Sequence, residues 1–196
     1  GSNTVGEKIK AAYTKDGLRA FDVDFMSTVY ECPFCVEVFD FDKVPETHEN
    51  SEPVGRHLDG CRIGFDAGGS DRKVSAVIDG EPVYSEEVVW FPKTNSDPNY
   101  HYQGILDAMK TAASHMPRVD AIGVSSAGVY VDNRIMVASL FLKVPKEDFD
   151  KKVKNMYIDV AKEIGDVPVV VANDGDVTAL AGAMNLDDNG VLGIAM

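Results

Sequence analysis

The chain has no apolar run of the roughly 20 residues that a membrane-spanning helix requires. Basic residues are also scarce, because 19 lysines and arginines stand against 32 aspartates and glutamates, for a net charge of −13. This imbalance argues against DNA, RNA or an anionic membrane surface as the main partner. A local glycine-rich loop can still bind phosphate. The 196 residues, 44% of them hydrophobic, are enough for one good-sized domain, or one domain with an appendage.

Cysteine is scarce as well. Three cysteines, an odd number, suit a reducing cytoplasm better than a disulfide scaffold, and the polar first residues predict no signal peptide. We therefore expect a cytoplasmic protein.

Two of the cysteines form a Cys-x-x-Cys pair, Cys32 and Cys35, for which a zinc or redox role is one interpretation. His48, His57 and Cys61 are the further candidate ligands, but the eight residues between the two histidines are too many for a standard zinc finger. The pair also lies in a strand-like stretch, where buried free cysteines are common. Both interpretations stay open.

Three well-known motifs are missing. The sequence has neither the Gly-x-x-x-x-Gly-Lys-[Ser/Thr] of a P-loop nor the Gly-x-Gly-x-x-Gly of a dinucleotide-binding fold. The segment from Gly123 to Gly128 superficially suggests the nucleophile elbow of serine hydrolases. It fails because that motif is Gly-x-Ser-x-Gly and the second glycine here comes one residue late.

The composition changes near residue 60. Residues 43–60 contain little apolar material and predict a linker or exposed loop. Residues 1–60 are therefore interpreted as an N-terminal extension of unknown role, with a short helix at 5–13 and a strand-like stretch at 21–41. Residues 61–196 form the second predicted domain.

This second domain alternates between strands and helices. Strands are predicted at 62–65, 74–78, 82–90, 119–124, 167–172 and 190–196, with an irregular strand at 135–141, and helices at 102–115, 146–164 and 176–184. The pair Asp79-Gly80 predicts a tight hairpin. Leaving the irregular strand aside, the order β-β-β-α-β-α-β-α-β predicts an α/β fold, in which helices pack on a mixed sheet.

A short apolar strand delivers one aspartate into a glycine-rich turn at 66–70. Asp66 can hold a hydrated cation, and the missing Cβ atoms of Gly68 and Gly69 let backbone N–H groups approach an anion. Ser70 and Lys73 add a hydroxyl and a positive charge. Mg²⁺ with nucleotide phosphates suits such a corner. The plainer alternatives are a hairpin-turn aspartate and a strand-surface lysine.

A second polar pair, Asn173 and Asp174, follows a buried strand where a helix begins. In an α/β sheet, ligands bind at the carboxyl ends of the strands. A carboxylate there can accept the proton of a hydroxyl that attacks a phosphate, and an asparagine can orient that hydroxyl. The alternative is that Asp174 caps the helix that begins near Asp176.

Three segments together resemble the N-terminal lobe of the actin-like, ribonuclease-H-like ATPase fold, and within it the ROK family of repressors and sugar kinases. Phe65-Asp-Ala-Gly-Gly-Ser-Asp-Arg-Lys73 is similar to the family's phosphate loop. Ala121-Ile-Gly-Val-Ser-Ser-Ala-Gly-Val-Tyr-Val-Asp132 is similar to its apolar strand and small-residue turn. Pro168-Val-Val-Val-Ala-Asn-Asp-Gly-Asp-Val-Thr-Ala-Leu-Ala-Gly182 is similar to its Asn-Asp pair and Ala-rich helix. The resemblance covers about residues 61–196.

The resemblance implies a sugar kinase that uses ATP and Mg²⁺ and is a homodimer. Asp174 would be the catalytic base, and it would bind the sugar together with Asn173, Ser126 and Gly128. The phosphate contacts would come from Asp66, which holds Mg²⁺ through water, and from Gly68, Gly69, Ser70 and Lys73. Ser125 also follows the buried strand and can line the sugar cleft.

Two positions depart from the family pattern. The stretch 136–145 lacks the asparagine that contacts the sugar, and the Ala-rich helix has Gly182 where the family usually has glutamate. These departures keep open a sugar-sensing regulator that does not phosphorylate its ligand. A sugar-independent actin-like ATPase and an interaction domain with a decayed site are further alternatives. A DNA-binding regulator would need a basic helix-turn-helix, whereas residues 1–60 are acidic.

The resemblance also implies a C-terminal lobe, with the adenosine site, beyond Met196. A single lobe cannot close over ATP and exclude water. We therefore expect the isolated chain to be inactive and the full-length protein to carry the activity.

Overall fold

The computed structural model describes residues 2–48, 58–188 and 190–194. They fall into two compact units, Gly1–Pro53 and Val54–Met196. No helix of the described residues is long and apolar enough to cross a membrane.

The first unit is helical. It contains α1 (Asn3–Ala12), α2 (Ala20–Tyr30) and a 3₁₀ turn at Phe41–Lys43. The helix predicted at 5–13 is confirmed, but the strand predicted within 21–41 is wrong, since α2 occupies its first half.

Contacts at helical spacing explain α2. The rings of Phe21 and Phe25, four residues apart, stack with centroids 5.8 Å apart. The Arg19 guanidinium donates to the Asp22 carboxylate in the first helical turn, with Nη2 3.0 Å from Oδ1. Aromatic and β-branched residues favour strands only weakly, and such local pairs can reverse that preference.

The second unit is built on a five-stranded sheet. Its strands and those of a separate hairpin are β1 (Cys61–Ala67), β2 (Asp71–Ile78), β3 (Glu81–Val89), β4 (Ala121–Ser126), β5 (Val129–Val131), β6 (Arg134–Val137) and β7 (Val169–Ala172). The sheet order is β3-β2-β1-β4-β7, and β5 pairs with β6. The first three strands are antiparallel, whereas β1, β4 and β7 are parallel. The predicted mixed sheet is confirmed.

The predicted hairpin at Asp79-Gly80 is confirmed. Both residues have positive φ, 51° and 86°, as a two-residue type I′ turn requires. The predicted irregular strand at 135–141 is instead β6 followed by a 3₁₀ helix, Ser139–Phe141.

The α-helices among the described residues of this unit are α3 (Pro98–Ala113), α4 (Lys146–Asp148), α5 (Met156–Gly165) and α6 (Asp174–Leu186). The continuous helix predicted at 146–164 is wrong, because a π-helical turn, Phe149–Val153, separates α4 from α5. The carbonyl of Lys154 accepts a hydrogen bond from the backbone N–H of Ile135 (2.8 Å), outside the helix.

The strand predicted at 190–196 is absent from its described part, 190–194. Leu192 and Ile194 are exposed there, so this segment lacks the sheet contacts that a strand needs. Residues 195 and 196 lie outside the described residues.

The core lies between the sheet and α3. Ile105, Met109 and Ala112 form the buried face of α3, which packs on β1 and β2 and against α5. The stripe follows the 3.6-residue period that predicts this helix. This packing fixes β1 beside β4, and therefore fixes the edge at which their carboxyl ends meet.

Candidate functional site

A cavity of 710 Å³ opens at the carboxyl ends of the parallel strands. In register, Asp66 of β1 pairs with Ser125 of β4, and Ser125 pairs with Ala172 of β7. The described residues that line the cavity are Asp66, Ala67, Gly68, Gly69, Lys93, Ser125, Ala127, Ser139, Leu140, Asp174, Val177, Thr178 and Ala181. Its volume lies in the range of small-molecule sites.

We call residues 66–70 the loop corner of this cavity. The indole N–H of Trp90 donates to the carbonyl of Gly68 (2.8 Å), and the backbone N–H of Trp90 donates to the carbonyl of Ser70 (3.0 Å). Trp90 itself is 1% exposed. A buried aromatic anchor therefore holds the loop corner in place from behind.

The five residues predicted to bind phosphate and Mg²⁺, in and just after the loop corner, do not all reach the cavity. Asp66, Gly68 and Gly69 line the cavity, whereas Ser70 and Lys73 are not among the lining residues. The Lys73 ammonium lies 3.3 Å from Oδ1 of Asp71, and this hydrogen bond raises the pKa of Lys73. The charge of Lys73 is thus paired within its own strand.

We call residues 173–178 the helix corner. Asn173 is the N-cap of α6: its Oδ1 accepts from the backbone N–H of Gly175 (2.9 Å), and its Nδ2 donates to the carbonyl of Gly128 (2.8 Å). Asp174, in the first helical turn, lines the cavity. The N-cap of α6 is thus Asn173 rather than Asp174. The carboxylate of Asp174 lines the cavity, and its Oδ1 also accepts from the backbone N–H of Gly175 (3.0 Å).

The two adjacent serines at the end of β4 face opposite sides of the sheet. Ser125 lines the cavity, whereas Ser126 is 1% exposed and its hydroxyl points to the carbonyl of Ala67, 3.4 Å away. Successive residues of a strand face opposite sides of the sheet. Only one of the pair can therefore face the cavity.

Tyr130 and Tyr157 lie next to the cavity wall that follows β4. Their rings are 6.5 Å apart, and the hydroxyl of Tyr130 reaches the carbonyl of Ala127 (3.5 Å), a cavity residue. Burial raises the pKa of Tyr130 to about 12 and raises the pKa of Tyr157 further. Both hydroxyls are therefore neutral at physiological pH.

Sequence reasoning missed the part of the cavity wall that two 3₁₀ helices form. Lys93 comes from a 3₁₀ helix, Pro92–Thr94, and Ser139 and Leu140 come from the 3₁₀ helix after β6. Neither segment carries a recognisable motif. Only the folded chain brings them to the cavity.

His101 joins these two wall segments. The ring is fully buried, with Nε2 3.0 Å from the carbonyl of Pro92 and 3.2 Å from that of Leu140, while Nδ1 lies 3.0 Å from the carbonyl of Asp97. The sequence places His101 on the apolar stripe of α3, and this position could have predicted a buried histidine.

Asp66 and Asp174 are the carboxylates that could hold a metal ion. Among the described residues, no three His, Cys, Asp or Glu side chains are grouped as a metal site. Mg²⁺ commonly takes only one or two protein carboxylates and completes its octahedron with water and phosphate oxygens. The residues at the cavity fit that type of coordination.

The Cys-x-x-Cys pair lies in the first unit, after α2. Cys32 and Cys35 are both exposed, so the expectation of buried cysteines in a strand is wrong. Cys61 is buried in β1. Of the two histidines considered with them, His57 lies outside the described residues.

Solved structures share this fold. A ROK-family transcriptional regulator, described as a homologue of the E. coli MLC protein, matches with a TM-score of 0.50 and 16% identity, over 65% of this chain and 31% of that chain. The ROK hexokinase from Thermus thermophilus matches with a TM-score of 0.48 and 19% identity, over 66% and 39%. A polyphosphate/ATP-glucomannokinase from Arthrobacter sp. matches with a TM-score of 0.47 and 21% identity, over 64% and 48%.

The ROK regulator shares the fold that the sequence motifs predict, the mixed α/β fold of the actin-like ATPases. The chain spans 31% to 48% of the length of these three structures. At such identities the likeness concerns the fold alone. No protein-family model matches the chain, and no curated protein matches it significantly.

Proposed function

We propose that the full-length protein is an ATP-dependent sugar kinase and that residues 61–196 are its N-terminal lobe. One observation carries the proposal: Asp66 and Asp174 line the same cavity at the carboxyl ends of parallel strands. Phosphoryl transfer needs two such functions, one that positions the phosphate group and one that takes the proton of the attacking hydroxyl.

In this proposal the loop corner is the phosphate side. Asp66 holds Mg²⁺ through water, and the backbone N–H groups of Gly68, Gly69 and Ser70 bind phosphate oxygens. Bound Mg²⁺ supplies the charge that offsets the phosphate oxygens. Trp90 keeps the loop in its shape before any ligand arrives.

The helix corner is the hydroxyl side. Asp174 accepts the proton of the sugar hydroxyl while the hydroxyl oxygen bonds to the terminal phosphorus and ADP leaves. Asn173 and Gly128 support this corner through their mutual hydrogen bond. We assign the serine contact with the sugar to Ser125, since the hydroxyl of Ser126 is buried. The turn after these serines can also contact the sugar.

The remaining expectations belong to the same proposal. ATP, Mg²⁺ and a sugar are the ligands, a homodimer is the assembly, and residues 1–60 are an extension outside the catalytic lobe. The acidic net charge continues to argue against a nucleic-acid partner.

A sugar-sensing regulator without catalysis is the second candidate. A ROK transcriptional regulator shares the fold. In the stretch where sugar kinases of that family carry an asparagine, the cavity wall here is formed by Ser139 and Leu140. Such a wall can bind a sugar loosely without aligning its hydroxyl for transfer.

The test is ADP release by the full-length protein with Mg·ATP and a panel of hexoses and amino sugars. We expect sugar-dependent release that Asp174→Asn lowers about 100-fold to 10,000-fold, the usual contribution of a general base. Asp176→Asn is the matched control, because Asp176 lies in the same helical turn but not among the lining residues.

Unchanged turnover in Asp174→Asn contradicts the assignment of the base. Release without sugar would identify an ATPase. Absence of release, with a melting temperature that sugar or nucleotide still raises, would identify the regulator.

A further inference from the structure

One cation faces the cavity without a partner. Among the described lining residues, Lys93 is the only one with a positive charge, and Asp66 and Asp174 are the two with a negative charge. No ion pair joins Lys93 to any carboxylate of the described chain. Lys73, in contrast, is paired with Asp71.

The ammonium of Lys93 lies over the loop corner. A Cβ atom placed on Gly69 would come within 2.6 Å of both Nζ and Cε of Lys93. The side chain thus occupies the space that a larger residue at Gly69 would need. A glycine at that position lets a positive charge approach the backbone that the proposed function assigns to phosphate.

The base of the Lys93 side chain is held in place. The backbone N–H of Phe91 donates to the hydroxyl of Tyr100 (2.9 Å), and the carbonyl of Pro92 faces Nε2 of His101 (3.0 Å). The two residues before Lys93 are therefore fixed to α3. Its flexible stem starts from a fixed point at the cavity rim.

A phosphoryl donor would meet two carboxylates in this cavity. A triphosphate carries several negative charges, which the carboxylates repel unless cations offset them. One offset is the Mg²⁺ assigned to Asp66. A lysine ammonium acts as a point charge on phosphate oxygens and forms charge-assisted hydrogen bonds with them.

We propose that Lys93, rather than Lys73, is the phosphate-binding cation of this lobe and contacts the terminal phosphate of the bound donor. The identity of the donor rests on the proposed function. The anion site itself rests on the position of Lys93 over Gly69.

The experiment measures dissociation constants by calorimetry on the full-length protein with Mg²⁺. The ligands are a non-hydrolysable ATP analogue and inorganic tripolyphosphate. We expect Lys93→Met to weaken both about tenfold to 100-fold, as loss of a hydrogen bond to a charged group predicts. Lys73→Met, the matched control, should stay within about twofold. Lys93→Arg should restore most of the affinity.

Each outcome decides the proposal. Equal losses in Lys93→Met and Lys73→Met, or unchanged binding in Lys93→Met, overturn the role of Lys93 while leaving the kinase proposal in place. Tripolyphosphate binding that depends on Lys93, without binding of the ATP analogue, supports Lys93 and overturns ATP as the donor. A wild-type protein that binds neither ligand overturns both proposals.

Discussion

The loop corner and the helix corner face the same cavity, but the fold supports them differently. The loop corner is tied to the core through Trp90, a fully buried anchor that bonds the carbonyl of Gly68. The helix corner begins α6, and none of the 13 described residues of α6 is buried. Two hydrogen bonds of Asn173 support its start.

This contrast has a physical consequence. Support from buried packing costs several kcal/mol to remove, whereas one surface cap contributes about 1 kcal/mol. The loop corner, which we propose as the phosphate side, is therefore fixed before ligand binding, while the helix corner, which we propose as the hydroxyl side, can shift at low cost. A kinase site benefits from such a difference, because the phosphate geometry is always the same whereas the position of the sugar hydroxyl must be adjusted.

The largest effect is expected from breaking the support of the loop corner. His101→Ala removes a buried ring that lies against Trp90 (centroids 6.3 Å apart), and with it the contacts of Nε2 with the carbonyls of Pro92 and Leu140. We expect the free energy of unfolding to fall by about 3 kcal/mol or more. Urea unfolding followed by the fluorescence of Trp90, the one tryptophan of the chain, measures this.

His115→Ala is the matched control for that variant. The ring of His115 is exposed and stacks on that of Tyr84, with centroids 3.9 Å apart. Its removal should lower the free energy of unfolding by less than about 1.5 kcal/mol. Equal losses in the two variants would show that the buried histidine does not support the loop corner.

A smaller effect is expected from the helix corner. Asn173→Ala removes both the cap of α6 and the bond to the carbonyl of Gly128, so we expect a loss of about 1–2 kcal/mol. Asn173→Asp keeps the cap acceptor but has no donor for Gly128, and should show about half the loss. Hydrogen exchange of the α6 amides would locate the change.

The comparison fails if Asn173→Ala destabilises the protein as much as His101→Ala does. The helix corner would then be as firmly held as the loop corner, and the inference that it can shift at low cost would be wrong.

The smallest effect concerns a surface bond between α3 and α5. The hydroxyl of Tyr102 donates to Glu163 (2.7 Å), which raises the pKa of Tyr102 to about 12, above the value of about 10 in an unfolded chain. Because the folded pKa is the higher one, this bond stabilises the fold below about pH 10 and its contribution is lost as the pH rises through 12.

Tyr102→Phe should therefore be slightly less stable than the wild type at pH 8, and the difference should shrink by pH 11. Unfolding curves at the two pH values measure it, and an absorbance titration at high pH should lose one late-titrating tyrosine. A difference that does not depend on pH would mean that the bond with Glu163 contributes nothing.

Sequence inspection succeeded where structure is local. The positive φ angles of Asp79 and Gly80 follow from the residue pair itself, and the strands β4 and β7 follow from largely apolar runs. The predicted burial of the second of these strands is wrong, because β7 lies at the edge of the sheet and only Val171 is buried in it. It failed for α2, where composition indicated a strand but ring and ion pairs at helical spacing formed a helix.

The sequence by itself determined the class of fold and the two aspartates at the strand ends, because strand periodicity, turn chemistry and the Asp-x-Gly-Gly and Asn-Asp motifs are local signals. Tertiary structure decided which neighbours of those motifs face the cavity. It turned Ser125 rather than Ser126 toward the cavity, paired Lys73 with Asp71 and brought Lys93 over Gly69. These outcomes depend on strand facing and on contacts between distant segments, which no local pattern encodes.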